Sequence, residues 1–375
     1  MKEAFDYAVV GGGIFGCYAA LFLADQGAKV LLLEKEAKLF QKASLVNQAR
    51  LHSGYHYPRS MATAAMSDEH KARFTEEHSA FVHAHFEKYY AIDRFGSFTD
   101  PKQFERFCAQ LNIPCERVSN HHLFNFDRLE ALYLTEEASF DPVLLGAYYS
   151  RRVHAHKGIA LRTGTQLNGA VATGNHWEIQ YATADQGENW VTAPVVINAT
   201  YAATNAVNAI FGISSLELTH EIAEIAFISS NQFRDKGLTV MDGPFGSIMP
   251  YGKSGLLSLS SVAYTHHKIS YDALPTFDCQ LSHVSCRPGA PAICTDCAFR
   301  PKSNVHKMLA QMGLYFSEQV HFDYFFSYFT IKSKLKSSYI DDSRPTEISL
   351  LKKNPDFYCL FAGKINSIYE VEKII

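Results

Sequence analysis

The chain has 375 residues, 47% apolar and 19% charged, with 35 Lys and Arg against 38 Asp and Glu and a formal net charge of −3. That composition excludes a mainly disordered chain, a low-complexity scaffold and a protein with the basic excess of a nucleic-acid binder. At about 150 residues per domain the length predicts two or three domains, and 13% aromatic residues with 17 His suit a pocket for a flat ligand without proving one.

The first residues carry Lys2 and Glu3, and the apolar stretch after them runs at once into Gly11, Gly12 and Gly13. A secretory signal needs a longer apolar core, and no apolar run approaches the roughly 20 residues that span a bilayer. The expectation is a cytoplasmic protein without a transmembrane segment, its eight cysteines mostly reduced.

Phe5 to Val10 reads as a buried parallel strand. It stops at Gly11-Gly12-Gly13-Ile14-Phe15-Gly16, from which a helix rich in Ala and Leu runs to Ala24 and ends at Gly27. Ala28 to Leu33 is a second strand, closing on Glu34. This is a βαβ unit opening on G-x-G-x-x-G. Gly11 permits the tight turn, Gly13 lets a pyrophosphate approach the backbone, and Gly16 lets the helix pack closely on the sheet. The helix N-terminus offers unpaired N–H groups to the phosphates. Glu34 lies eighteen residues past Gly16, where a carboxylate accepts hydrogen bonds from ribose hydroxyls. The acid favours FAD or NAD over NADP, and the unit by itself leaves those two open.

A helix is predicted from Pro101 to Leu111, and another from Asp141 to Tyr149 with Asp141 as N-cap and Pro142 in the first position. Short strand-like runs follow at Ile159 to Arg162, Gln166 to Ala172, Trp177 to Ala182 and Trp190 to Thr192. Gly174-Asn175 and Gln186-Gly187 supply turns, and the whole reads as an antiparallel meander leading into a strand from Val195 to Ala199. Leu216 to Phe227, Leu238 to Met241, Ser247 to Pro250 and Leu256 to Ser260 read as strands of a mixed sheet, and Met308 to Phe316 as a helix. Met241 to Gly246 reads as a hairpin turn, with Asp242 a turn residue.

Three segments carry a family resemblance. Ser44-Leu45-Val46-Asn47-Gln48-Ala49-Arg50-Leu51-His52-Ser53-Gly54-Tyr55-His56-Tyr57-Pro58 resembles the flavin-facing loop of the D-amino-acid-oxidase-like (DAO) superfamily of FAD oxidoreductases. Within it, Leu51 to Tyr57 is most similar to the L-2-hydroxyglutarate dehydrogenase branch. Val195 to Thr200 resembles the second FAD strand, and Ser343-Arg344-Pro345-Thr346 with Phe357 to Asn366 resembles the C-terminal flavin loop. Tyr201 departs from the pattern, which places a glycine after Asn-Ala-x. Gly363-Lys364-Ile365-Asn366 replaces the glycine-rich loop of many amine oxidases.

The resemblance implies an α/β fold. A Rossmann-type FAD-binding domain, glutathione-reductase-like and of DAO type, joins a second α+β substrate domain built on a mixed sheet. The FAD domain is then discontinuous, 1–90, 136–212 and 336–375, with the substrate domain in 91–135 and 213–335. It implies FAD as cofactor, held by Gly11, Gly13, Ile14, Phe15, Gly16, Glu34 and Lys35. Ser44, Asn47, Gln48, Ala49, Arg50 and Leu51 follow on the flavin loop. Leu167 approaches the adenine, and Ala199, Thr200, Gly363, Lys364 and Ile365 complete the set, with a new helix from about Ser367 facing the ring.

The implied activity is oxidation of a small 2-hydroxy acid, amine or amino acid by hydride transfer to flavin N5, with oxygen or a quinone as acceptor. Such chemistry needs a grip on the substrate and a base for the O–H or N–H proton. His52 matches the histidine of the hydroxy-acid branch, and His56 is the second candidate; a covalent histidyl-flavin link on this loop stays open. Arg344 is the candidate clamp for a substrate carboxylate, since a guanidinium binds it by two hydrogen bonds; Arg50 and Tyr251 are further candidates. Lys364 would place positive charge near the ring. The alternative to an enzyme is a flavin-binding regulatory or partner protein without turnover. Cys279, Cys286, Cys294 and Cys297 leave open a structural zinc, a redox pair and unrelated thiols, and no metal is assigned.

Overall fold

The computed structural model describes residues 2–56, 58, 70–183, 187–336, 347–361 and 363–373. Tyr57 and the segment 343–346, with Arg344, lie outside the described residues.

Four sheets organise the chain. The first has six strands in the order Ile159–Arg162, Val30–Leu33, Tyr7–Val10, Val195–Asn198, Asp356–Phe361 and Glu347–Lys352. Its first five strands run parallel and the last is antiparallel. The helix Ile14–Asp25 crosses it and is apolar on every side, as a helix covered all round must be. The sheet lies on one side, and the helix Pro142–Ala155 and the 3-10 turns Ile365–Lys373 lie against it elsewhere. The predicted cap is present: Asp141 accepts from Val143 N and Leu144 N at 3.0 Å. Asp100 likewise accepts from Gln103 N at 2.9 Å at the head of Pro101–Leu111.

Ile159–Arg162 is not part of the meander that its neighbours in sequence form. It is the parallel edge partner of Val30–Leu33, because the helix Pro142–Ala155 completes a second crossover onto the sheet. The meander consists instead of Thr165–Thr173, His176–Thr183 and Gly187–Ala193, and Glu3–Ala4 adds a parallel fourth strand to that sheet.

The second large sheet has nine strands and is mixed: Lys236–Met241 runs parallel to Glu87–Asp93 and antiparallel to Gly246–Pro250. Its longest pairing joins Leu218–Ser229 to Asp323–Leu335. The helix over it is Val305–Gly313, three residues earlier than the sequence pattern predicts. A small fourth sheet pairs Arg50–Leu51 and Val82–His83 with the two edges of Ala138–Phe140. It ties the loop after the first βαβ unit to the segment between the two large sheets.

Tyr201, which stands where the family pattern has glycine, keeps the left-handed backbone that glycine favours, φ 53°. Such a conformation costs a non-glycine residue about 1 kcal/mol. The side chain offsets it: Tyr201 Oη donates to Ser333 O at 2.9 Å and accepts from Ser333 N at 3.0 Å, and the ring stacks on Phe361.

Candidate active site

The parallel strands end together, and the segments that follow them line one cavity of about 1110 Å³. Gly11 leaves its strand at φ +108°, and a Cβ there would meet Ala199 O at 2.6 Å. A Cβ on Gly16 would lie 1.8 Å from Gly11 O, so Gly16 serves helix–strand contact and does not line the cavity. Gly13 precedes the helix, with room for its Cβ closed by Ser44 Oγ at 2.8 Å. Ile14 N donates to that hydroxyl at 2.9 Å. Glu34 is half-buried on the cavity wall. Burial raises its pKa, while hydrogen bonds from Glu36 N, 2.7 Å, and Gly12 N, 2.5 Å, oppose the rise. Each carboxylate oxygen still has a lone pair for a hydroxyl donor.

Glu34 and Gly363 follow strands three steps apart in the sheet, about 14 Å at the usual strand spacing. Gly11, Gly13, Ala199 and Thr200 lie between them. The cavity therefore runs along the carboxyl ends of the strands, where open α/β sheets bind nucleotides. A carboxylate for ribose, a glycine-cleared helix start for phosphates and a wider section beyond fit a long dinucleotide such as FAD.

Of the residues predicted to hold cofactor, Gly11, Gly13, Ile14, Phe15, Glu34 and Lys35 line this cavity. Ser44, Asn47, Gln48, Ala49, Arg50 and Leu167 line it too, as do Ala199, Thr200, Gly363, Lys364 and Ile365. Leu51 does not. It alternates with Arg50 on a short strand and points into the core, fully buried. Tyr251 is also absent from the wall; its hydroxyl donates to Leu45 O at 2.7 Å, a structural tie. The segment after Phe361 forms 3-10 turns from Ile365 to Lys373, starting two residues before the predicted helix. Lys35 Nζ donates to Ala290 O and Lys42 Nζ to Pro291 O, at 3.0 and 2.9 Å, so a stretch of the cysteine-bearing loop crosses the cavity edge. Cys279, Cys286, Cys294 and Cys297 line a second, much smaller cavity. Among the described residues no three His, Cys, Asp or Glu side chains are placed to hold a metal ion.

His52 and His56 both face the main cavity, ring centroids 5.7 Å apart. Behind them lies a buried charged cluster that joins Arg50 to Lys88, Tyr90 and Glu137, three residues without a motif of their own. Arg50 Nη2 donates to Thr239 Oγ1 at 2.9 Å and to Ser247 Oγ. Its Nε is 3.5 Å from Glu137 Oε2, with both side chains at 1% exposure or less. Lys88 Nζ, fully buried, donates to Thr239 Oγ1 at 2.6 Å. Tyr90 Oη donates to the Glu137 carboxylate at 3.0 and 3.1 Å, and His52 Nδ1 is 3.6 Å from Glu137 Oε1.

Burial would raise the pKa of Glu137, but Arg50, His52 and Lys88 outweigh it and hold the carboxyl well below the usual range. Burial pushes His52 down to about 4 against the pull of Glu137, leaving a neutral ring at neutral pH. Beyond Arg50 and His52 on the flavin loop, the sequence signal for this cluster is Lys88, a lysine alternating with Tyr90 and Ile92 in a buried strand. Nothing local marks Glu137.

Comparison with known proteins adds the following. The model of the family described as DAO, FAD dependent oxidoreductase, matches residues 6–222. The FAD-dependent monooxygenase kojA of Aspergillus flavus is 30% identical over 281 residues, 72% of this chain and 63% of that one. The chain spans less than two thirds of the length of the curated relatives it matches. Glycine oxidase from Geobacillus kaustophilus superposes with a TM-score of 0.68 at 14% identity, covering 99% of this chain and 92% of that one. L-alpha-glycerophosphate oxidase from Mycoplasma pneumoniae, with FAD bound, gives 0.66 at 14% identity, covering 99% and 94%. At such identity these two likenesses speak for the fold.

Proposed function

The chain belongs to the DAO family of FAD-dependent oxidoreductases, and from that premise we propose that it oxidises a small molecule at a carbon bearing a hydroxyl or an amine beside a carboxylate. The observation that carries this reading is His52, a neutral imidazole on the cavity wall backed by an ionised carboxylate. The histidine in Leu51-His52-Ser53-Gly54-Tyr55 supports a 2-hydroxy acid ahead of an amine.

Bound FAD supplies the two-electron acceptor for the C–H bond. Glu34, the backbone around Gly13 and the segment Gly363 to Ile365 would hold it. His52 takes the hydroxyl or amine proton, a role open to it because burial keeps it uncharged near neutrality. Its neighbour His56, tilted against the Phe245 ring 5.2 Å away, closes the same wall. Oxygen or a quinone would be the final electron acceptor, and reoxidation in air separates the two.

The test is anaerobic mixing of the FAD-loaded protein with a panel of 2-hydroxy and 2-amino acids, followed at the visible flavin band. One class bleaches the band, and His52→Asn slows that step by about a hundredfold or more. A panel that leaves the band intact overturns the reading. The name of the 30% identical relative supports a second reading, oxygen insertion; labelled dioxygen decides it, since only a monooxygenase places the label in the product.

A further inference from the structure

We propose that Glu137 is the positioning residue of this site: its carboxylate fixes the His52 ring with the hydrogen on Nδ1 and so leaves Nε2 as the proton acceptor. The inference rests on the reading of His52 as the base.

The backbone makes the pair. Arg50 stands opposite Ser139 and Leu51 opposite Ala138 in antiparallel register. One further step in that register sets His52 opposite Glu137. Strand alternation turns Arg50 and His52 to one face and Leu51 to the other, which is why Leu51 enters the core while its two neighbours reach the cavity. Glu137 lies on that same face, behind the cavity wall. It is placed to act on His52 and not on a ligand.

The surroundings then fix both the position and the charge of the carboxylate. Tyr90 donates to both of its oxygens from one strand. Arg50 approaches Oε2 from another, and is itself anchored on Thr239 and Ser247 across a hairpin. Lys88 is fastened to the same Thr239 hydroxyl. The oxygen facing His52 is Oε1, the one farther from Arg50's nearest contact. A carboxylate held this firmly has one oxygen aimed at a ring nitrogen 3.6 Å away, a gap that closes with a small ring rotation when substrate orders the site. A carboxylate beside Nδ1–H selects that tautomer and favours the charged ring that proton capture creates. The substrate proton goes to Nε2, one positive charge appears on the ring, and Glu137 stays ionised throughout.

The decisive measurement is nitrogen-15 NMR of the FAD-loaded protein labelled at histidine, with His52 assigned by difference from His52→Asn. The wild-type ring is in the Nδ1–H form. Glu137→Gln keeps the shape and one acceptor oxygen but removes the charge. It moves the His52 Nδ1–H proton signal upfield and changes the acid constant of the ring at least tenfold. The double variant Lys88→Met with Glu137→Met removes the acceptor altogether and shifts the ring towards the Nε2–H form, and Glu137→Gln by comparison retains the native tautomer. His52 signals unchanged in either folded variant overturn the proposal. If His52→Asn abolishes flavin bleaching while those signals stay fixed, the base reading stands and this inference falls. If the signals move but His52→Asn turns over at the wild-type rate, the base reading falls and takes this one with it.

Discussion

Two carboxylates flank the cavity, Glu34 half-buried and Glu137 fully buried, and they are held in opposite ways. Glu34 is bound by two backbone N–H groups within a single βαβ unit, and burial leaves its pKa raised. Glu137 is bound by side chains from separate strands, and their charge drives its pKa far down despite deeper burial. Dipoles orient a carboxylate and leave it ready to share its oxygens with a hydroxyl. Full charges fix it as an anion and make it an electrostatic partner. The first arrangement suits recognition of a ribose and the second suits control of a proton.

The comparison can be broken first on the backbone side. Gly13→Val places a branched side chain where Ser44 Oγ stands 2.8 Å from the Cβ position. The expected outcome is loss of FAD affinity by at least about a thousandfold, about 4 kcal/mol, measured by equilibrium dialysis. Next in size is Glu137→Ala, which leaves Arg50 buried without its counter-charge and lowers the unfolding free energy by about 3–5 kcal/mol in urea. Glu34→Ala orphans two backbone donors and costs about 1–3 kcal/mol; its larger effect falls on FAD binding. Equal stability losses for the two would contradict the contrast drawn above.

The two residues also differ in the sign of their pH dependence. The pKa of Glu137 is depressed in the fold, so its contribution is fully present above the unfolded value of about 4.3 and is lost as pH falls through the folded one. The pKa of Glu34 is raised, so its charged form costs stability above the folded value, and that cost is relieved as pH falls towards about 4.3. Urea midpoints of Glu137→Gln therefore lose part of the wild-type fall on the acid side, whereas those of Glu34→Gln lose the partial compensation and fall from a higher pH. The smallest effect is expected of Tyr201→Phe, which keeps the ring on Phe361 and removes the two hydrogen bonds to Ser333, about 1 kcal/mol by thermal unfolding.

The same contrast explains what the sequence discloses. Gly11, Gly13, Gly16 and Glu34 belong to a short unit whose geometry follows from residue type and spacing, and Asp100 and Asp141 cap helices by contacts within three residues. Glu137 acquires its partners only when Arg50–Leu51 pairs with Ala138–Phe140, a register that joins positions far apart in the chain. Ile159–Arg162 was misplaced for a related reason. Its four residues fit either sheet, and only the crossover through Pro142–Ala155 decides which edge they join. Leu51 stands among cofactor-facing neighbours in the sequence, while the strand alternation turns its side chain into the core.

The central claim is that one cavity has a nucleotide side at Glu34 and a reaction side at His52. A crystal structure of the FAD complex tests it most directly. The account predicts ribose hydroxyls on the Glu34 carboxylate, phosphates at the Gly13–Ile14 helix start, and the flavin ring between Gly363 and His52. A ring lying beside Glu34, or one held beyond the reach of His52, would contradict it.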